Sequence, residues 1–149
     1  MYQKPALKLA LTVAAVLTAG CGALWPGGGN EPRSPASIVD GSFIVPPRTF
    51  RSFAFAVTKD MEEPRVEGTF LAEGANDDIE VLLFEESEFL NWQNRNRFAA
   101  AYQSGRVTSQ KIRVALPAEP ATYHIVFSNR FSIFSNKGVN ANVQLRFDR

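Results

Sequence analysis

His124 is the only histidine of the 149-residue chain and Cys21 the only cysteine. Cys–His catalysis needs both side chains at one place, and a multi-histidine metal site needs more imidazoles than the chain has. A Ser-His-Asp triad stays arithmetically open, but no Gly-x-Ser-x-Gly elbow singles out a nucleophile. His124 alternates with the apolar Tyr123 and Ile125, so it is expected to face water as an ordinary surface side chain.

Carboxylates are denser. Asp77, Asp78, Glu80, Glu85, Glu86 and Glu88 follow one another with no basic residue among them. In an extended segment Asn76, Asp78 and Glu80 share a face, where their oxygens would hold Ca²⁺. An EF-hand loop would require glycine where Val81 stands, so the competing reading is a solvated turn in which Asp77 or Asp78 accepts backbone N–H groups. No metal and no diffusible cofactor is assigned.

The stretch Leu90 to Val114 inverts the charge, with Arg95, Arg97, Arg106, Lys111 and Arg113 and no acidic residue. It either pairs with the acidic run before it or forms a basic patch for anionic headgroups or glycans. Its opening, Asn91 to Arg97, brings together aromatic, amide and guanidinium groups of the kind that recognise sugars or peptides. Trp92, Asn91, Asn94 and Arg95, joined by Arg130, are therefore the candidate ligand-binding residues. The alternative for Trp92 is a plug at one end of the core. A second candidate surface is the polar set His124, Arg130, Asn140, Asn142, Gln144 and Arg146, although antiparallel sheets routinely turn one polar face to water.

The elements that must position these groups are strands. Phe53, Phe55 and Val57 alternate with polar or small residues, as do Val66, Gly68, Phe70 and Ala72, then Ile112, Val114 and Leu116, then Tyr123, Ile125, Phe127 and Phe131. Val139, Ala141, Val143, Leu145 and Phe147 give the longest alternation, while Ile79 to Phe84 is apolar on both parities and suits a central strand. Turn residues separate the runs at Asp40-Gly41, Pro46-Pro47, Gly74 to Asp77, Pro117 to Pro120 and Ser135 to Gly138. The pattern predicts an all-β fold: a single antiparallel β-sandwich, jelly-roll-like, of six to eight strands over residues 38–149, with one short helical turn capped by Ser87.

Residues 1–37 read differently. Lys4 and Lys8 precede Leu9 to Gly20, an uncharged stretch whose helical length of about 18 Å falls short of the ~30 Å of a bilayer core. It reads as a secretory signal over 1–20. Leu17-Thr18-Ala19-Gly20-Cys21 resembles the lipobox of bacterial lipoproteins, with Thr18 where the commonest boxes carry Leu, Val or Ile. The resemblance implies cleavage before Cys21 and covalent diacylglycerol and acyl chains on it, an anchor that two or three chains make stable. Gly22, not aspartate, follows the cysteine, which under the family's sorting rule points to the outer membrane of a Gram-negative envelope. Residues 21–37, rich in Pro and Gly, are expected to be a tether. Without Lys4 and Lys8 the formal charge is about −1, which leaves no electrostatic case for nucleic-acid binding.

Ser42 to Pro46, Phe50 to Val57, Val66 to Gly74, Asp78 to Phe84 and Pro120 to Phe127 resemble in pattern the GOLD-type β-sandwich of the p24 cargo-receptor family, without its paired cysteines, coiled coil or carboxy-terminal membrane helix. That resemblance implies a jelly-roll-like module for protein interaction. The combined expectation is a membrane-anchored lipoprotein of the cell envelope, not an enzyme, that binds another envelope protein or glycan. A purely structural envelope-assembly role without a small ligand is the alternative, and a hydrolase the remaining one.

Overall fold

The structure is a computed structural model, and it describes residues 35–74 and 76–149. Eight strands run β1 Ala36–Val45, β2 Phe50–Val57, β3 Glu62–Gly74, β4 Ile79–Glu85, β5 Tyr102–Val107, β6 Ser109–Ala115, β7 Ala121–Ser128 and β8 Lys137–Asp148, with a helix α1, Glu86–Gln93, between β4 and β5. All neighbouring pairs are antiparallel. One sheet has the order β1-β8-β3-β6 and the other β2-β7-β4-β5, the interleaved order of an eight-stranded jelly roll. The expected all-β sandwich is therefore the fold, at the upper end of the expected strand number.

Apolar alternation explains the core between the sheets. Val139, Ala141, Val143 and Leu145 of β8 face Tyr123, Ile125 and Phe127 of β7, and all seven are buried. Phe127 is fully buried and meets Phe43 and Phe70 edge-on at ring-centroid distances of 5.1 and 6.1 Å, an arrangement that matches ring edge to ring face. In β3 the register shifts between Glu62 and Arg65, and the buried Pro64 sits in that irregularity, where a residue without an N–H fits. Gly68 is required by close approach: a Cβ there would lie 2.1 Å from the Asn142 carbonyl oxygen and 2.6 Å from Val143 Cα.

Several local expectations are corrected. The strand holding Tyr123, Ile125 and Phe127 ends at Ser128, and Phe131 lies in the following loop beneath the Arg106 guanidinium, 4.2 Å from its ring centre. β1 begins at Ala36, two residues before the expected domain start. Ser87 caps nothing: the N-cap is Glu85, without a side-chain hydrogen bond, and Glu86 and Glu88 place carboxylates in the first turn, where the exposed N–H groups favour them. β5 carries no clear alternation in its sequence because it is an edge strand with Gly105 at φ +67°. Cys21, the signal and all but the last residues of the tether lie outside the described residues. No helix among those described is long and apolar enough to cross a membrane.

Candidate functional site

The segment Asn91 to Asn96 is a helix ending. Asn94 is the C-cap; the N–H of Arg95 donates to the Trp92 carbonyl at 3.1 Å and that of Asn96 to the Asn91 carbonyl at 2.9 Å. This is the hydrogen-bond pair of a Schellman motif, with Arg95 in the left-handed conformation, φ +61°, where glycine is the usual residue. Asn91 and Asn94 thus serve the helix end through their backbone, and the Asn91 amide also reaches the Glu88 carboxylate at 3.5 Å. Glu88 in turn accepts the Ala99 N–H at 2.8 Å, which holds down the chain leaving the helix.

Arg130 packs against Trp92. Its guanidinium lies 4.0 Å from the centre of the Trp92 ring and 5.0 Å from that of Phe50, and it donates to the carbonyls of Trp92 and Gln93 at 3.2 and 3.3 Å. A cation at the negative end of a helix, stacked on an indole, is a packing clamp. Burial and then the neighbouring Arg95 pull the Arg130 guanidinium below its ordinary value. Trp92 is only 8% exposed and packs with Phe84, Phe89 and Phe50. It does not plug an end of the sandwich: it belongs to a second apolar cluster, with Leu82, Phe84, Phe89 and Val126, under α1.

That second cluster also relocates His124. The alternation correctly turns it away from the inter-sheet core, but the outer side of β7 is roofed by α1, and the imidazole stacks on Phe89 with ring centres 4.3 Å apart. Both ring nitrogens are buried without a hydrogen-bond partner; the nearest carboxylate oxygen, of Glu86, is 3.8 Å from Nε2, beyond hydrogen-bond reach. The surface-histidine expectation is overturned by the roof.

The polar surface expected to include His124 and Arg130 is split in two. Those residues sit on the α1 side, whereas Asn140, Asn142, Gln144 and Arg146 alternate outward on β8 in the other sheet. Beside them, through the register Glu67↔Arg113, Thr69↔Lys111, Glu67↔Gln144 and Arg65↔Arg146, stand the outward residues of β3 and β6. Together they line a shallow recess of about 480 Å³ whose polar side chains are Glu67, Thr69, Lys111, Arg113, Asn142, Gln144 and Arg146. At its charged end the Glu67 carboxylate is held by three guanidinium groups: Oε1 is 3.3 Å from Arg65 Nε and 3.5 Å from Arg113 Nε, and Oε2 is 3.1 Å from Arg146 Nε. Asn142 donates to Asp40 at 3.0 Å, which fixes its amide.

The basic run therefore divides: Lys111 and Arg113 reach this recess, while Arg106 covers Phe131. Arg113 pairs with Glu67 and Asp78 with Lys137 at 2.6 Å; among the described residues no ion pair joins the acidic run to the basic one, and their charged residues meet in the cross-strand register of Glu80 with Arg106. Of the proposed Ca²⁺ group, Asp78 is engaged by Lys137, Asn76 sits in the β3–β4 turn at φ +68°, and Glu80 of β4 lies opposite Arg106 of β5. Asp77 closes that turn by accepting the Gly74 N–H at 2.7 Å, as the turn reading expected. Among the described residues no three His, Cys, Asp or Glu side chains gather as a metal site. Sequence reasoning missed Arg65, Glu67 and Thr69 as site residues; outward polar positions on a strand adjacent to β8 were the available signal, but strand order is not readable from one chain. Neither the protein-family models nor the curated proteins contain a match to this chain.

Proposed function

We propose that this chain is a lipid-anchored, non-enzymatic binding module of a bacterial cell envelope, held at the membrane through Cys21 and engaging another envelope protein or glycan through the outer face of β6-β3-β8. The observation that carries the binding reading is the recess in which Glu67 is paired with Arg113 and Arg146, with Arg65 on the same carboxylate from beside it, flanked by the Thr69, Asn142 and Gln144 side chains. Such a face offers charge and directional hydrogen bonds together, which is what orients a polar ligand. The sandwich also agrees with the jelly-roll-like module that the GOLD-type resemblance implies. His124, stacked under α1 and hydrogen-bonded to no serine or carboxylate, supports a binding over a catalytic role. The lipobox-like Leu17 to Cys21 supports the anchor.

A protein partner in envelope assembly is favoured by a separate observation, the β7–β8 loop, where Phe134 is 91% and Ile133 54% exposed. Two tests address the proposal. Mass spectrometry of the amino-terminal peptide from fractionated cells is expected to find acylated Cys21 in the membrane pellet, lost in Cys21→Ser; an unmodified peptide in the soluble fraction rejects the anchor. A photo-crosslinking residue at Thr69 is expected to capture an envelope component in cells, whereas adducts formed only from position 94 return the site to the end of α1.

A further inference from the structure

We infer that the ligand of the β6-β3-β8 face is an anionic saccharide, a sugar chain bearing carboxylate or phosphate groups; this rests on the reading above that the face is the binding surface. The argument starts from charge. Arg65, Arg113 and Arg146 surround the single carboxylate of Glu67, and Lys111 stands two residues along β6 from Arg113 in the same recess. With Asp40 beside Asn142 counted as well, four cations face two anions, which still leaves a local positive surplus. Arg65 lies directly across from Arg146 in the β3–β8 register, and like charges so placed weaken a sheet. Glu67 relieves only part of that repulsion, so the surface keeps a standing demand for anionic oxygen.

Glu67 also shows where that oxygen is held. Glu67 Oε1 accepts a hydrogen bond from Arg65 Nε at 3.3 Å, while Arg113 and Arg146 form ion pairs with Oε1 and Oε2 at 3.5 and 3.1 Å, so the arginines already converge on one planar anion. The Arg113 side chain is 79% exposed and open to a second anion, whereas Arg146, 47% exposed, already donates through Nη2 to Gln144 Oε1 at 3.5 Å. Arg113 and Lys111 are about 7 Å apart along the strand, a spacing for two charges carried on one chain. Beyond them Thr69, Asn142 and Gln144 supply neutral donors and acceptors suited to hydroxyl groups. A protein ligand would ask for an apolar anchor pocket and a single-stranded nucleic acid for a stacking aromatic; the one apolar residue lining the recess, Ile112, is buried.

The test uses the full chain as Cys21→Ser, titrated calorimetrically with an oligogalacturonate, a phosphorylated dextran oligomer and unmodified dextran of the same length. Binding of an anionic oligomer at least about tenfold tighter than the neutral one is expected, weakening as salt screens the charges. The oligogalacturonate and the phosphorylated oligomer separate carboxylate from phosphate as the recognised group. The double variant Arg113→Ala, Lys111→Ala is expected to lose about ten- to a hundredfold in affinity, the worth of charge-assisted hydrogen bonds. Glu67→Gln is expected to tighten the anionic ligand, because it removes the resident competitor; a merely structural Glu67 would weaken it. Equal affinity for neutral and anionic oligomers, or affinity unmoved by the double variant, overturns the inference. Crosslinking from position 69 then separates the two levels: a protein adduct, without saccharide binding, rejects the saccharide and keeps the face, while no adduct and no binding rejects both.

Discussion

Trp92→Ala discriminates between the helix end as a packing device and as a ligand site. A tryptophan covers up to about 250 Å², and Trp92 is 8% exposed. At about 25 cal/mol per Å² its burial is worth roughly 5–6 kcal/mol as an upper bound, since the unfolded chain hides part of that area. Truncations of buried aromatics to alanine cost about 3–5 kcal/mol, and loss of the stack under Arg130 would add about 0.5–2 kcal/mol. The cluster under α1 is separate from the inter-sheet core, so the damage has a defined place. Glu86–Gln93 is expected to lose amide protection in hydrogen exchange while the strands keep theirs, and urea unfolding followed by circular dichroism should show a loss of about 3–5 kcal/mol, smaller if α1 detaches on its own. Affinity at the β6-β3-β8 face, which belongs to the other sheet, should stay unchanged while the domain is folded. A variant that unfolds like the parent yet no longer binds its ligand would refute this reasoning and make Trp92 a contact residue.

Gly68→Ala is expected to cost more than the about 1–3 kcal/mol of ordinary overpacking, because the new methyl meets β8 backbone at 2.1 Å and not a movable side chain; an unaltered thermal melt would contradict that close approach. Tyr102 has a buried hydroxyl with no hydrogen-bond partner among the described residues, so Tyr102→Phe should raise stability by up to about 1–3 kcal/mol, and a loss on chemical denaturation would expose a missed partner. Burial raises Tyr102, and burial followed by Glu85 and Glu119 raises Tyr123, above the ordinary value of 10.0. The folded pKa being the higher one, this stability is complete below pH 10 and is lost as pH rises through the folded values. Tyrosinate absorbance should therefore lag behind that of free tyrosine and then rise together with unfolding, and Tyr123→Phe should delay the transition; ionisation of both phenols near pH 10 in the folded protein would count against it.

Period-two alternation made most of the sandwich legible, because a strand with one face in a core must repeat its apolar side chains at every second residue. Val139 to Leu145 show this fully, and turn residues placed their boundaries. The absence of paired histidines and cysteines bounded the chemistry in the same direct way, as did the uncharged stretch that ends at Cys21 for the expectation of an anchor. Alternation says which side of its own strand a residue occupies, and nothing about what lies over that side. His124 and Trp92 depended on α1 folding back across β4 and β7, which converted an outward face into a second core. Strand order decided the rest: β3, β6 and β8 are distant in sequence, and only their pairing sets Arg65, Arg113 and Arg146 around Glu67. Local spacing is written into the chain by the geometry of one strand, whereas a surface made of three strands exists only after the long connections of the jelly roll have closed.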